Sequence, residues 1–172
     1  MITHRGIDCV GSWIYALPCD DWGRGRVSCL VDHLAAVVAA AAEARLLFAP
    51  YQIIPHWPRR EAPHAVVVPD ASSLIANVGA SLGAGCTWLD VLGSGEVIGP
   101  AGSTSYQSGI VDVSLSVADD AATLYVKTRC DAWLKHDLQA RPQPEIWVKN
   151  SPRLKDFLAW VQEWTGEVGF GE

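Results

Sequence analysis

The chain has 172 residues, of which 49% are hydrophobic and 19% are charged, and its formal net charge is −6. This length and composition predict one globular domain with a full hydrophobic core, and they exclude a disordered chain. The negative net charge argues against a nucleic-acid partner, because binding to phosphates needs a cationic surface.

No targeting segment or cofactor motif is recognisable in the sequence. The longest apolar run, residues 34–42, is far shorter than the ~20 residues of a membrane-spanning helix. No apolar stretch of the signal-peptide type precedes Asp8, which predicts a cytoplasmic protein without a membrane partner. Five cysteines are scattered without a C-x-x-C pair, which predicts reduced, buried thiols and neither disulfides nor a zinc site.

Two strands and a long helix are predicted in the first third of the chain. Residues 7–17 are rich in β-branched and aromatic side chains, which favour a strand. Residues 28–44 predict a helix that is apolar except along one narrow stripe, so it should be largely buried against a sheet. Residues 46–54 predict the second strand.

A loop, a short strand and a short helix are predicted next. Three prolines in residues 55–63 predict a loop there, because proline disfavours regular strand pairing. Residues 65–68 predict a short buried strand. Asp70 or Ser72 is predicted to cap a short helix that ends near Leu82.

Glycines separate the elements predicted in the middle of the chain. Residues 86–92 and 96–98 predict two strands on either side of Gly93-Ser94-Gly95. The segment 99–109 is dominated by small and polar residues, and we predict a flexible loop there.

The clearest pattern in the chain is a hairpin in its last third. Apolar and polar residues alternate in residues 111–117 and again in residues 123–130, which is typical of two half-buried antiparallel strands. Residues 145–148 predict one more strand. A final helix is predicted after it, with Ser151 as its N-cap and Pro152 as its first helical residue.

This order of elements predicts one α+β domain that covers residues 1–172. Several strands joined by short turns favour a mostly antiparallel sheet, with two or three helices packed on it. Strict alternation of strand and helix is missing, so a doubly wound nucleotide-binding sheet is not expected.

No residue pattern typical of catalysis occurs in the chain, and no cofactor is expected. One pocket is conceivable, with Cys86 as a nucleophile, His64 as its base and the 99–109 loop beside them. The alternative for Cys86 is a buried, inert thiol, because this residue lies beside an apolar strand.

Acidic and basic residues are segregated along the sequence. Residues 61–126 contain seven acids and neither Lys nor Arg, whereas residues 127–155 contain seven basic residues and three acids. If the fold keeps the first segment together, one surface will be anionic and will attract a cationic partner. The alternative is that folding intersperses these acids with basic residues from elsewhere.

The chain contains eight tryptophans, and several occupy positions where partial exposure is expected. Trp160 and Trp164 are four residues apart on the last predicted helix, so their rings should touch. Exposed tryptophan is enriched at binding hot spots, whereas packing in the core is the alternative for each ring. The candidate partner-binding residues are Trp57, Asp90, Glu96, Asp112, Asp119, Asp120 and Trp147.

The segment 127–166 carries a spaced pattern of acids, tryptophan and proline. The pattern is Asp131-x-Trp133-x-x-x-Asp137-Leu138, then Pro144-Glu145, then Asn150-x-Pro152-Arg153-Leu154. It resembles the C-terminal part of small bacterial immunity-type proteins, which antagonise polymorphic toxins. The resemblance implies a strand–strand–helix unit and binding through a variable surface, and it transfers no site residue.

Three classes of function follow as hypotheses. The first is a protein-interaction module, an immunity-type inhibitor that occludes the cationic site of a toxin or enzyme with an acidic, tryptophan-bearing surface. The second is a small enzyme or ligand-binding domain that uses the His64 and Cys86 pocket. The third is the subunit of a homo-oligomer, with tryptophans buried at the subunit contacts.

Overall fold

The computed structural model describes residues 10–18, 25–58, 64–119, 121–166 and 170–171. In these ranges the chain forms three helices and eight strands. The helices are α1 (Arg26–Glu43), α2 (Ala71–Gly83) and α3 (Pro144–Thr165). The strands are β1 (Gly11–Ala16), β2 (Phe48–His56), β3 (Val66–Val68), β4 (Trp88–Ile98), β5 (Thr104–Ser108), β6 (Asp112–Val117), β7 (Ala122–Thr128) and β8 (Phe170–Gly171).

All eight strands belong to one sheet. Its order is β3-β2-β4-β6-β7-β1-β8, and β5 pairs with the second half of β4. Each of these pairings is antiparallel. The three helices and one side of the sheet share a hydrophobic core, so the predicted α+β class with a mostly antiparallel sheet is confirmed.

Alternation along the strands separates a core side of the sheet from an open face. In β7, Leu124 and Val126 have no exposed surface, whereas Tyr125 and Lys127 point the other way and are partly exposed. No helix of the described ranges covers that second side, which we call the open face. Its central residues are Ile14, Ile54, His56, Trp88, Asp90, Asp112, Ser114, Tyr125 and Lys127.

Two local predictions are confirmed. The predicted hairpin is β6–β7, whose register runs from Asp112 opposite Lys127 to Val117 opposite Ala122. The predicted short helix is α2, and its N-cap is Asp70, whose side chain accepts a hydrogen bond from the Ser73 backbone N–H at 2.8 Å.

The predictions for residues 86–109 are wrong in two respects. β4 continues through Gly93 and Gly95 as one strand, and the predicted loop contains a short 3-10 turn followed by β5. The glycines do not mark a turn here. A Cβ on Gly93 would lie 2.6 Å from the Phe48 carbonyl oxygen, and a Cβ on Gly95 would collide with the Leu46 carbonyl oxygen. They permit the chain before β2 to pass close to β4.

The predicted strand 145–148 is also wrong, because α3 begins at Pro144 and includes these residues. Pro152 therefore lies inside the helix and not at its first position. A proline there leaves the carbonyl of Val148 without its helical N–H donor. Val148 is 59% exposed, so water can reach this part of the helix.

Two side chains of α3 fix the helix to β4. Asn150 is fully buried, and its amide pairs with both backbone groups of Ile98, accepting from the N–H at 2.9 Å and donating to the carbonyl at 2.7 Å. Arg153 donates to the carbonyl oxygens of Arg45 at 2.7 Å and Glu96 at 3.0 Å. These two members of the 127–166 pattern therefore hold the fold together.

The prediction for the cysteines is wrong at one position. Cys86 and Cys130 are buried cysteines outside any disulfide, and burial raises the pKa of Cys130 to about 12. Cys29, in contrast, is disulfide-bonded. Cys9 and Cys19 lie outside the described residues.

Membrane-spanning helices were not expected from the sequence. In the described ranges, each helix is too short or too polar to cross a bilayer.

Candidate functional site

Two of the predicted acids form ion pairs with basic residues from distant parts of the chain. Glu96 is 3% exposed, and its carboxylate lies 2.9 Å from the guanidinium of Arg45. Asp112 is also 3% exposed, and its carboxylate lies 3.1 Å from Arg129. Folding therefore compensates part of the charge of the acidic segment.

The other predicted residues lie apart from one another. Asp119 is exposed in the β6–β7 turn, and Asp120 lies outside the described residues. Trp57 follows β2 and packs against the core. Trp147 is half-buried on α3, with the Lys135 ammonium 5.1 Å from its ring centroid. Of the predicted residues, Asp90 and Asp112 share the open face, whereas Asp119 lies in the β6–β7 turn and Trp147 lies on α3.

Asp90 organises a polar cluster at the centre of the open face. Its Oδ1 accepts hydrogen bonds from the Trp88 indole N–H at 2.8 Å and from the Ser114 hydroxyl at 2.6 Å. Its Oδ2 lies 3.0 Å from His56 Nε2. Strand register explains this arrangement, because Ser114 of β6 lies opposite Asp90 and His56 of β2 lies opposite Trp88.

Two aromatic rings meet beside Asp90. The centroids of Trp88 and Tyr125 are 4.9 Å apart at an interplanar angle of 38°. The Lys127 ammonium lies 5.0 Å from the Trp88 centroid and 5.5 Å from the Tyr125 centroid, within reach of both rings for cation–π attraction. We name the group of His56, Trp88, Asp90, Ser114, Tyr125 and Lys127 the open-face cluster.

The open-face cluster orients its side chains but does not activate a nucleophile. An ionised Asp90 only accepts hydrogen bonds, so His56 Nε2 carries a proton and donates it. The Ser114 hydroxyl donates to the same carboxylate and not to the imidazole. A serine activated for attack would instead donate to the histidine, as in hydrolase triads.

Asp112 lies next to this cluster, and its carboxyl group is unfavourable to ionise. Burial raises the pKa of its carboxyl group, and Arg129 offsets this only in part. Its Oδ1 is buried and has no hydrogen-bond partner in the part of the chain that the structure describes. The ionised form of Asp112 is therefore held at a cost in free energy.

The residues of the predicted pocket do not converge. His64 is exposed before β3, whereas Cys86 is buried and donates to the Trp88 carbonyl at 2.8 Å. The 99–109 segment bonds to β4 no closer to Cys86 than Gly93, about 23 Å away along an extended strand. Burial also raises the pKa of the Cys86 thiol, which lowers its nucleophilic fraction.

Cys86 does line a cleft of about 330 Å³, but its other lining residues include neither His64 nor any residue of the 99–109 segment. Arg26 of α1, Leu82 of α2 and Asp119 of the β6–β7 turn are among them. The guanidinium of Arg26 spans this turn, donating to the carbonyl oxygens of Ala118 and Asp119.

Sequence reasoning missed Trp88, Tyr125 and Lys127 as neighbours. Period-two alternation in β7 does place Tyr125 and Lys127 on the same side of the sheet. Only the strand order, with β6 between β4 and β7, brings Trp88 beside them.

In the described ranges, no group of three or more His, Cys, Asp or Glu side chains is arranged to hold a metal ion. No protein-family model, no curated protein and no solved structure matches the chain. The function is therefore argued from the open face itself.

Proposed function

We propose that this protein binds another protein through its open face and acts as an immunity-type inhibitor that blocks a toxin or another enzyme. The Trp88–Tyr125 ring pair with Lys127 above it carries this proposal. Tryptophan and tyrosine are enriched at the centres of protein interfaces, where a few such anchors supply most of the binding energy.

The Trp88–Tyr125 pair, which we call the aromatic anchor, is held in place in the unbound protein. The Asp90 carboxylate accepts a hydrogen bond from the Trp88 indole, and Ser114, which donates to the same carboxylate, is 1% exposed. Side chains that are already fixed lose little conformational entropy on binding, which favours affinity.

The surroundings of the anchor suit a protein partner. Ile14 on β1 is 43% exposed and Val67 on β3 is 67% exposed, which adds apolar surface on both sides of the cluster. The cleft beside Cys86 does not involve the open-face cluster. A sheet face with scattered apolar and polar groups matches the anatomy of protein interfaces better than that of small-ligand pockets.

The proposed inhibition is steric. Glu96 and Asp112 are engaged in ion pairs, so they offer little free charge to a cationic site. Contact with the aromatic pair would cover the partner's active site, and Lys127 would favour an acidic group at the edge of the contact. The inhibitor form of the proposal rests on the resemblance of residues 127–166 to immunity-type proteins, although α3 takes the place of the second strand of the unit that the resemblance implies.

The proposal places the protein in the cytoplasm, where an inhibitor would meet a toxin that acts inside the cell. The disulfide at Cys29 argues against that compartment, because thiols there are normally reduced. Alkylation of cell lysates under acid quench, followed by mass spectrometry, measures the state of Cys29. A reduced Cys29 supports the cytoplasmic placement, and a persistent disulfide contradicts it.

Site-specific photo-crosslinking in the native host tests the proposed face. A photoreactive phenylalanine analogue replaces Tyr125, and the matched control carries it at Tyr106, which is 68% exposed on β5. We expect one protein to be crosslinked from position 125 and not from position 106. Crosslinking of the same proteins from both positions contradicts the proposal. Crosslinking only to a second copy of the chain would favour the homo-oligomer hypothesis instead.

A further inference from the structure

A groove lies between α1 and α3, on the side of the molecule opposite the open face. Its volume is about 440 Å³. Its wall is formed by Phe157 and Trp160 of α3, and its floor by alanines of α1 and just after it, namely Ala36, Ala39, Ala40 and Ala44. Alanine side chains end at Cβ, so they leave space between the two helices and make the groove deeper.

The aromatic wall of this groove is fixed on both helices. Trp160 stacks on Trp164 with 5.5 Å between centroids and an interplanar angle of 10°, as the spacing in the sequence predicts. Trp164 donates its indole N–H to His33 Nδ1 of α1 at 3.1 Å. His33 Nε2 in turn lies 3.1 Å from the Pro18 carbonyl oxygen, to which it donates.

The groove carries uncompensated negative charge. Its two ionisable lining residues, Glu43 and Asp156, are both acidic and exposed. Among the described residues, neither carboxylate has a basic nitrogen within 4.0 Å. Two arginines close in sequence to these acids are engaged elsewhere, because Arg45 pairs with Glu96 and Arg153 donates to backbone carbonyls.

We infer that this groove binds a cationic amphipathic helix of a partner protein. Apolar side chains of that helix would contact the alanine floor and the Trp160 ring, as in other helix-in-groove complexes. Lysine or arginine side chains on its flanks would reach Glu43 on one helix and Asp156 on the other, and they could also lie over the Trp160 face. This inference is independent of the open face and does not rest on the proposed function.

Calorimetric titration with synthetic peptides tests the inference at ~0.15 M salt, where long-range charge effects are screened. The probe is a helical peptide of about 15 residues with leucine at helical spacing and lysine elsewhere, and its counterpart carries glutamate in place of lysine. The groove variant is Glu43→Gln/Asp156→Gln. The matched control, Asp119→Asn/Glu145→Gln, removes the same number of exposed acids elsewhere. A third variant, Ala39→Leu, fills the floor with a good helix former.

We expect one-site binding of the lysine peptide and none of the glutamate peptide. The groove variant and Ala39→Leu should each weaken binding about tenfold or more, which corresponds to about 1.4 kcal/mol, while the control variant binds like wild type. Equal weakening in the control shows general attraction to an acidic protein and overturns the inference, and so does the absence of saturable binding. Self-association of the wild type that Ala39→Leu abolishes would assign the groove to a second copy and also overturn it.

Discussion

At the scale of single residues, Asp112 is a carboxylic acid that the fold makes unfavourable to ionise. Its pKa is raised above the unfolded value of about 3.9, so the folded protein holds this proton more tightly. The free energy of unfolding that Asp112 contributes should therefore decline as pH rises from about 4 through the raised folded-state pKa. In the variant Asp112→Asn this decline should be absent, as measured by urea unfolding between about pH 4 and 8.

Asp70 provides a control, because the pKa of its carboxyl is shifted in the opposite direction from that of Asp112. The Ser73 N–H lowers the pKa of the Asp70 carboxyl, so its contribution to stability is present above the unfolded pKa. That contribution is lost as pH falls through the lowered folded-state pKa, and Asp70→Asn should remove this acid-side loss. An unchanged pH dependence in Asp112→Asn contradicts the account of that residue.

The Cys130 thiol should be unreactive in the folded protein. It is 1% exposed, and its pKa is raised to about 12, so almost no thiolate exists near neutral pH. Alkylation with iodoacetamide at about pH 8, followed by peptide mass spectrometry, should leave Cys130 unmodified until urea unfolds the chain. Equal labelling rates in the folded and unfolded protein would disprove this burial.

Local residue roles were predictable from the sequence and distant ones were not. The Asp70 cap depends on a partner three residues away, and the sequence predicts it. Arg45 and Glu96 are 51 residues apart, so only the strand order reveals their ion pair. The contact between Trp88 and Tyr125 was not predictable for the same reason, because it depends on the strand order β4-β6-β7.

At the scale of elements, Asn150 should determine how α3 docks on β4. Replacing it with alanine removes the partners of the N–H and carbonyl of half-buried Ile98, and each lost bond costs roughly 1–2 kcal/mol. Chemical denaturation of Asn150→Ala should therefore show a loss of about 2–4 kcal/mol. The exposed neighbour change Val148→Ala should have little effect. A loss of less than about 0.5 kcal/mol in Asn150→Ala would contradict the docking role.

Pro152 should weaken α3, because it interrupts the helix. Proline in a helix interior costs up to about 3 kcal/mol relative to alanine. Thermal unfolding should therefore show a higher midpoint for Pro152→Ala, by an amount equivalent to about 1–3 kcal/mol. Pro144→Ala is the control and should change little, because a proline at the start of a helix lacks only an N–H that has no partner there. A lower midpoint in Pro152→Ala would contradict this reasoning.

Elements with a strong internal period were predictable, and elements fixed by tertiary contacts were not. The β6–β7 hairpin and the amphipathic helix α1 follow from alternation and helical spacing. β5 has small, polar residues and gains its strand conformation by pairing with β4. The start of α3 was missed because Pro152 favours a helix start. The helix in fact begins eight residues earlier at Pro144, and the hydrogen bonds between Asn150 and Ile98 hold this part of it on β4.

At the scale of the whole molecule, folding redistributes charges that are segregated along the sequence. Basic residues outside the acidic segment 61–126 pair with Glu96 and Asp112 inside it. The surfaces that remain are an open sheet face with an aromatic anchor and an acidic groove between helices. They lie on opposite layers, so variants of one surface should leave the other unaffected.

The affinity of the protein for a partner crosslinked from position 125 tests the central claim most directly. We expect Tyr125→Thr, which keeps a strand-forming residue, to weaken binding about 30-fold, the effect of losing a hot spot worth about 2 kcal/mol. The same change should abolish inhibition of the partner, while Tyr106→Thr should bind and inhibit like wild type. Wild-type affinity in a correctly folded Tyr125→Thr variant would contradict the claim that the open face is the binding site.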